Sequence, residues 1–330
     1  MAHPIAEFAR EAYAAGWAAS GGPMTGRVRA GCTVAVQLAV ANADDPRVLE
    51  VTIDLGRLEG LWARIFDRRQ ALIDRHTGAV AAVWRRLVAA LGIAEAVRAF
   101  RARGRQSDAA EDTAVALAAA QALLGNLPDS PTWPDLRDAV TAAVRDGYAE
   151  GVAAAAAIGA DRAGEKQPLD WDRAFNDALT ALRANSPAET DSDRWLRRLI
   201  DRAATRIAAA LAAADDDTTE EELADTVEAR LTDPASTGFT VDWAVTTAAA
   251  AAGLAFYRTD GATELSIVTV GDGRVCTACE DAEARSPWPA DQAPALPIHP
   301  LCRCTYVASI DPSRYPDWFT GPDTQGGGPP

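Results

Sequence analysis

The sequence predicts a mainly α fold, in which an elongated alanine-rich helical body carries a small N-terminal β-hairpin and a small C-terminal α+β module. Three observations lead to this prediction: alanine runs such as "AAAAAIGA" and "TTAAAAAGLAF", apolar residues at helical spacing through most of the chain, and short alternating stretches near its two ends. Alanine is the best helix former and carries little side-chain volume. The helices are therefore expected to pack closely through small side chains.

The N-terminal part, residues 1–56, is predicted to hold one helix followed by a hairpin. The helix is expected over Ile5–Ala19. Apolar and polar residues then alternate in "CTVAVQLAVA" and "RVLEVTIDL", and the intervening "NADDP" has the composition of a turn. Residues Thr33–Leu55 are therefore predicted to form a β-hairpin.

The helical body is predicted to cover residues 57–256 and to begin with one long amphipathic helix. Its apolar stripe recurs at three- and four-residue steps or multiples of a turn, and consists of Leu58, Trp62, Ile65, Leu72, Val80, Val83, Leu87 and Leu91. Gly78 is the candidate break in this helix. His76 lies on the same stripe, and the favoured interpretation is a core histidine with a satisfied ring.

Further helices follow, separated by breaks that contain Pro, Asp, Ser or Gly. They are predicted over Ala109–Leu124, Trp133–Ala157, Trp171–Ala184, Asp191–Ala213, Thr219–Leu231 and Val241–Phe256.

After Phe256 the pattern changes to that of a small separate module, predicted over residues 257–312. A β-branched stretch, Thr263–Val270, is predicted to form a strand directly before the cysteine-rich segment. Residues 313–330 are predicted to be a flexible tail, since they end in "GPDTQGGGPP". The aromatics of Asp311–Phe319 are expected either to cover the module or to dock on a partner, and cover within the chain is favoured.

Charge and hydropathy narrow the class of protein. The formal net charge of -15 argues against a protein that coats nucleic acid freely. The local basic faces at Phe100–Arg105 and Trp195–Arg206 are interpreted as solvated helix surfaces. We find neither a run of eighteen or more uninterrupted strongly apolar residues nor the pattern of a secretory signal. The expectation is a protein with no membrane partner that is made in a reducing cytoplasm.

Four of the chain's 5 cysteines and one of its 3 histidines lie close together, in the spacing Cys276-x2-Cys279-x19-His299-x2-Cys302-x-Cys304. Two close pairs separated by a loop are the layout of a structural zinc site, since Zn²⁺ prefers four thiolate or imidazole ligands in a tetrahedron. The preferred set is Cys276, Cys279, His299 and Cys302. Cys304 is the substitute ligand, and a four-cysteine site with His299 beside it stays open.

Two other interpretations of this cluster remain. Disulfides would join Cys276 to Cys304 or Cys279 to Cys302, and reduced thiols would simply pack as small hydrophobic side chains. Cys32 is isolated and is interpreted as a structural thiol.

The sequence gives little support for catalysis, so the chain is not expected to be an enzyme. It has no HExxH, no phosphate-binding Walker loop and no nucleophile elbow. The zinc deaminases have their H-x-E ahead of P-C-x-x-C, and the order here is reversed. The acidic Glu280, Asp281 and Glu283 are interpreted as a solvated edge. A zinc hydrolase or nuclease is a further hypothesis, and it requires an open coordination position.

The cysteine segment and its flanks resemble the C-terminal signature of the MuF-like phage head morphogenesis family. The residues that match are Asp272, Arg274, Cys276, Cys279, Pro297, His299, Pro300, Cys302, Arg303 and Cys304. The chain departs from the family where "DAEA" replaces a common Leu-Asp-Gly after the second cysteine. The match covers residues 264–309, and the helical region upstream is also similar to the family.

This resemblance implies a minor capsid protein, present in few copies, that acts with the phage portal and with capsid or scaffold proteins during head assembly. It implies a location in the virion, in the capsid interior or at the portal vertex, and in the host cytoplasm during assembly. The alternative hypothesis is a zinc-ribbon protein that contacts packaged DNA through its arginine-rich helices.

Overall fold

The computed structural model describes residues 34–40, 47–53, 55–103, 109–165, 169–184, 188–269 and 275–319. The chain divides into two compact units, Met1–Arg64 and Ile65–Pro330. Helices make up most of the described chain, and strands are confined to one hairpin and one small sheet. The prediction of a mainly α fold with small β elements is therefore confirmed.

The first unit contains the predicted hairpin. Its strands are β1, Val34–Val40, and β2, Arg47–Ile53, which pair antiparallel from Val34 opposite Ile53 to Val40 opposite Arg47. The predicted helix over Ile5–Ala19 lies outside the described residues.

Helices connect the hairpin to the C-terminal sheet. Their bounds are α1 Leu55–Ala89, α2 Ile93–Arg101, α3 Ala109–Gly125, α4 Trp133–Arg162, α5 Trp171–Ala184, α6 Ala188–Ala213, α7 Glu220–Thr232 and α8 Pro234–Asp260.

The largest disagreement among the six helices predicted after Ala109 concerns the start of α8, which begins at Pro234 and not near Val241. The side chain of Asp233 accepts a hydrogen bond from the Ala235 amide, and proline at the first helical position needs no amide partner. These two local features start the helix before its alanine run. The helix predicted over Thr219–Leu231 is confirmed as α7, where Thr219 and Glu222 form a reciprocal capping box.

Two observations, one on the long first helix and one on the segment after it, correct the prediction. α1 is continuous through Gly78, because the buried Val80 and Trp84 on its following turns keep its apolar face against the core. A short helix that was not predicted, α2, follows it and buries Ile93 and Val97.

The main core, called the body core here, lies between α1, α2, α3, α4, α6, α7 and α8. One of its aromatic members is also fixed by a polar contact, since the buried Trp84 indole donates to the carbonyl of Leu231 at 2.9 Å.

His76 is buried, and its Nε2 lies 3.0 Å from a carboxylate oxygen of Asp146. The interpretation of His76 as a satisfied core histidine is therefore confirmed.

The contact between α4 and α8 is unusually close because both helices present small residues to each other. A Cβ added to Gly147 would lie 2.8 Å from the carbonyl oxygen of Val245, and one added to Gly151 would overlap the backbone of Ala249. Ala155 continues this face toward Gly253. The expectation that alanine-rich helices pack through small side chains holds at this contact.

A buried ion pair joins α1 to α4. The Arg69 Nε lies 2.8 Å from Glu150, and each side chain is only 3 % exposed. Burial raises the pKa of the Glu150 carboxyl, and the charge and hydrogen bonds of Arg69 oppose this shift. Removing one partner of such a pair leaves a buried charge without compensation, so the pair fixes which faces of the two helices meet.

The C-terminal module is a three-stranded antiparallel sheet with one helix. Its strands are β3 Glu264–Val268, β4 Trp288–Pro289 and β5 Thr305–Val307, in the order β4-β3-β5, and its helix α9 spans Thr277–Ala284. This sheet packs on the C-terminal ends of α4 and α8, forming a second cluster that we call the module core. The strand predicted at Thr263–Val270 is thus β3.

The segment after residue 312 corrects the prediction of a flexible tail over 313–330. Residues up to Phe319 are folded and include a short helix, α10, at Pro316–Phe319. Tyr315 stacks on Trp318 with ring centroids 5.1 Å apart, and the Trp318 indole donates to Asp177 at 3.0 Å. These aromatic rings therefore pack against their own chain, as the sequence analysis favoured. Their contacts with Phe256 and α5 remove apolar surface from water.

One stretch in the described chain, Glu220–Asp260, is long and apolar enough to cross a membrane by length and composition alone. In this structure 56 % of its most apolar window is buried. Core helices meet the same criterion, and α8 is such a helix because its small residues face α4.

Substituting Gly151→Ala is expected to destabilise the fold by about 1–3 kcal/mol, since the new methyl group has no room against α8. Gly78→Ala is the matched control, because nothing lies within 4 Å of a Cβ at Gly78. There the change should stabilise by about 1 kcal/mol through helix propensity. Urea denaturation followed by circular dichroism measures both, and equal stability of the two variants would contradict the close packing.

Candidate metal centre

The first two cysteines are positioned by the start of α9. Cys276 is the residue before the helix, and Cys279 lies in its first turn, with its amide donating to the Cys276 carbonyl at 3.0 Å. One turn of helix therefore directs both side chains to the same side. The backbone amide of Cys279 also points at the Cys276 sulfur and holds the pKa of that thiol below its usual range.

The other donors are carried by a tight turn from His299 to Cys302. We call the start of α9 with Cys276 and Cys279 the first arm of the site, and this turn the second arm. The Cys302 amide donates to the His299 carbonyl at 3.1 Å and closes the turn. Pro300 occupies the second position, and Leu301 occupies the third with a positive φ of 62°. A side chain in this region is strained, and leucine is held there while 66 % exposed. The turn brings the His299 ring and the Cys302 sulfur toward the same point.

The two arms meet with their donor atoms in contact. The His299 Nε2 lies 2.9 Å from the Cys276 sulfur and 3.1 Å from the Cys279 sulfur, and Cys279 and Cys302 have sulfurs 3.6 Å apart. Among the described residues, two groups could hold a metal ion: one is Cys276, Cys279 and His299, and the other is Cys279, Cys302 and Cys304. Cys279 belongs to both groups, so it lies at the centre of the cluster.

The His299 ring is oriented for metal binding by its other nitrogen. Its Nδ1 lies 2.7 Å from the carbonyl oxygen of Pro300, which can only accept a hydrogen bond. Nδ1 therefore carries a proton, and Nε2 is the nitrogen that faces the sulfurs and could bind a metal ion. Ligating histidines are commonly fixed in this way, with the second nitrogen donating to a carbonyl.

The thiols differ in their tendency to lose a proton. The hydrogen bond from Cys304 lowers the pKa of the Cys302 thiol to about 5. Burial raises the pKa of the Cys279 thiol to about 12, and the hydrogen bond to Cys302 together with burial raises that of Cys304. Of these three thiols, Cys302 therefore loses its proton most readily. A metal ion would displace the remaining protons, which makes its binding dependent on pH.

Residues that the sequence analysis did not select hold the two arms together. The Tyr306 hydroxyl donates to the Pro294 carbonyl at 2.7 Å and accepts from the Leu296 amide at 3.0 Å, which fixes the loop before His299. A side-chain oxygen of Glu283 accepts from the Thr269 amide at 3.2 Å. Glu283 was interpreted as part of a solvated edge, and this is wrong for it because it joins α9 to the end of β3.

Signals for these supporting residues are present but weak in the sequence. Tyr306 follows the last cysteine in the alternating "CTYV", which indicates one inward ring. Glu283 lies one helical turn after Cys279 on α9, which alone does not separate a structural carboxylate from an exposed one.

The space beside the cluster is small. The cavity lined by Cys276, Cys279, His299 and Cys304 has a volume of about 10 Å³, roughly the room of one water-sized sphere. Among the described residues its lining also includes Arg303, and none of those described lining residues is a carboxylate. This space fits a single ion.

All five donors predicted from the sequence lie in this cluster, and they could hold a metal ion. The four described cysteines are free thiols, so the alternative in which Cys276–Cys304 or Cys279–Cys302 disulfides join them is wrong. Asp272 and Arg274 of the signature, and the isolated Cys32, lie outside the described residues.

Comparison with models of protein families, with curated proteins and with solved structures finds no match to this chain.

Protein purified without chelator is expected to carry about one equivalent of a thiophilic divalent metal ion, measured by elemental analysis. Cys279→Ser should lose the ion, because Cys279 belongs to both groups of donors. Cys304→Ser is the matched control and should keep it if Cys276, Cys279, His299 and Cys302 are the ligands. Full occupancy in Cys279→Ser would contradict the proposed centre, and loss in Cys304→Ser with retention in Cys276→Ser would select the other group.

Proposed function

We propose that this chain is a minor head protein of a phage or prophage, of the MuF-like type, and that a structural zinc ion holds its C-terminal module. The observation that carries this proposal is that the signature residues converge: Cys276 and Cys279 on one arm meet His299 and Cys302 on the other. The resemblance to the family lies in these same residues and in their proline and arginine neighbours.

The donor set favours zinc over other ions. Thiolate and imidazole ligands select zinc among the common divalent ions, and calcium and magnesium prefer oxygen. The elemental analysis described above identifies the ion directly. If the bound ion is not zinc, the assignment of zinc is wrong, but the conclusion that the cluster could hold a metal ion stands.

A structural role for the ion follows from the small size of the module. Its sheet has three short strands, and the segment that carries His299 and Cys302 is mostly irregular. A module this small encloses little apolar surface within itself, so a metal ion that joins α9 to the turn before β5 would add folding free energy to its packing on α4 and α8. The described residues around the cluster enclose a cavity of about 10 Å³, which is the size of a single ion.

The role in head assembly rests on the resemblance together with the way the module is mounted. The amide of Ile310 donates to the Gly159 carbonyl at 3.3 Å, and Arg258 donates to the Ala290 carbonyl at 3.1 Å through its Nε. These contacts fix the module on the ends of α4 and α8. The proposed partners are the portal and the capsid or scaffold proteins of the same phage, and the proposed location is the capsid interior or the portal vertex.

Co-expression with the portal protein of the same phage tests this proposal. The wild-type chain is expected to co-purify with the portal in few copies per ring, and heads purified from the phage should contain it. Cys304→Ser is the control that keeps the preferred ligand set. A chain that is missing from purified heads and does not bind the portal would contradict the proposal, whatever its metal content.

A second candidate function, contact with packaged DNA, is favoured by one surface. On α6 the arginines at every fourth residue, Arg194, Arg198 and Arg202, form a row that we call the arginine ladder. The guanidinium carbon of Arg198 lies 4.7 Å from the ring centroid of Trp195 and 4.9 Å from that of Trp243. Within the described chain, Arg198 and Arg202 have no carboxylate partner. A guanidinium group that lies over an aromatic ring can still donate hydrogen bonds to phosphate oxygens.

The double substitution Arg198→Gln/Arg202→Gln is expected to reduce the salt dependence of DNA binding. If each arginine neutralises one phosphate, the slope of log K against log salt falls by about 2. The control Arg85→Gln/Arg285→Gln removes the same charge from exposed arginines elsewhere and should leave the slope unchanged. Retention on a DNA column at low salt measures the interaction, and no retention of the wild-type chain would eliminate this candidate.

A further inference from the structure

A surface groove lies between α2, the end of α1 and α7. It has a volume of about 560 Å³. Its floor is apolar: Ile93 is buried, Leu91 and Ala224 are half-buried, and Ala94 is exposed. Because Ala94 and Ala224 carry only a methyl group, the two helices leave a trough between them that larger side chains would have filled.

The wall that α7 contributes is acidic. It carries Glu220, Glu221, Asp225 and Glu228, and the single cation of the lining is Arg98. All four carboxylates are exposed, and none of them forms an ion pair with a residue in the described part of the chain. The groove therefore combines open apolar surface with an excess of negative charge.

The helix dipole of α7 explains the presence of only some of these acidic residues. Acidic residues in the first turn of a helix are favourable because the amides there carry partial positive charge, which covers Glu220 and Glu221. Asp225 and Glu228 lie in the middle and toward the end of α7, where a carboxylate gains nothing from the helix and is disfavoured near its last turn. The opposite face of α7 is already used, since Leu223, Val227 and Leu231 are buried in the body core.

We infer that this groove binds a basic amphipathic α-helix of a partner protein. Apolar side chains on one face of such a helix would fill the trough over Leu91 and Ala224. Arginine or lysine side chains beside that face would reach Glu221, Asp225 and Glu228, which lie on one face of α7 at helical spacing. The inference rests on charge complementarity and on the open apolar floor, and it is independent of the metal centre and of the proposed function.

Fluorescence anisotropy with a labelled peptide tests the inference on the full chain. The probe is a synthetic helix of about 18 residues, with leucines at helical spacing and arginines on both flanks of that stripe. The wild-type chain is expected to bind it at physiological salt. The triple substitution Glu221→Gln/Asp225→Asn/Glu228→Gln should weaken binding by about tenfold, as expected for three exposed charge pairs lost together.

A matched triple separates the groove from the net charge of the protein. Asp138→Asn/Asp201→Asn/Asp291→Asn removes the same charge from exposed positions outside the groove and should change affinity by less than about twofold. Equal weakening by the two triples would reduce the interaction to general attraction and overturn the inference. A peptide of the same composition with its leucine stripe scrambled should bind about tenfold more weakly, and equal binding would also overturn it.

A single substitution tests the trough. Ala94→Trp places an indole in the trough and is expected to abolish peptide binding, whereas Ala99→Trp, at an exposed position of α2 outside the lining, should leave it unchanged. Circular dichroism checks that both variants stay folded. Failure of the peptide to bind the wild-type chain would overturn the inference. So would self-association of the chain that only the groove substitutions abolish, since the groove would then receive a second copy.

Discussion

The close contact between α4 and α8 is the constraint on which the rest of the second unit depends. Gly147 and Gly151 have no side chain because the backbone of α8 occupies that space. The approach aligns the C-terminal ends of the two helices, and those ends form the platform on which the small sheet packs. A larger residue in this interface would move the platform as well as the helices. The requirement for small side chains between α4 and α8 therefore also sets the position of the cysteine cluster.

The cluster in turn depends on geometry that no single motif provides. Cys276 and Cys279 need only the first turn of α9, whereas His299 and Cys302 need a turn with a positive φ at Leu301. The loop between the arms is held by Tyr306, and α9 is held to β3 by Glu283. The metal centre is thus the meeting point of two separately supported arms.

The charged surfaces of the helical body are of two kinds. The arginine ladder on α6 is stacked on aromatic rings, and the acidic wall on α7 faces an open apolar groove. Both lie on the helical body, while the metal centre lies in the module. Their physical requirements are distinct: the ladder suits phosphates, the groove suits a basic helix, and the centre suits a thiophilic ion.

The sequence by itself determined most of the helices, the hairpin and all five candidate metal ligands, because periodicity, caps and donor spacing are local properties. Trp171–Ala184 was predicted with its observed bounds, and Thr219 was placed at its helix start. The sequence did not reveal that Glu283 and Tyr306 support the centre, that residues up to Phe319 are folded, or that α1 runs through Gly78. Those features depend on contacts between residues far apart in the chain, such as Trp318 with Asp177 and Arg69 with Glu150. Only the tertiary structure decided them, since the free energy of such contacts exists only once the helices have packed.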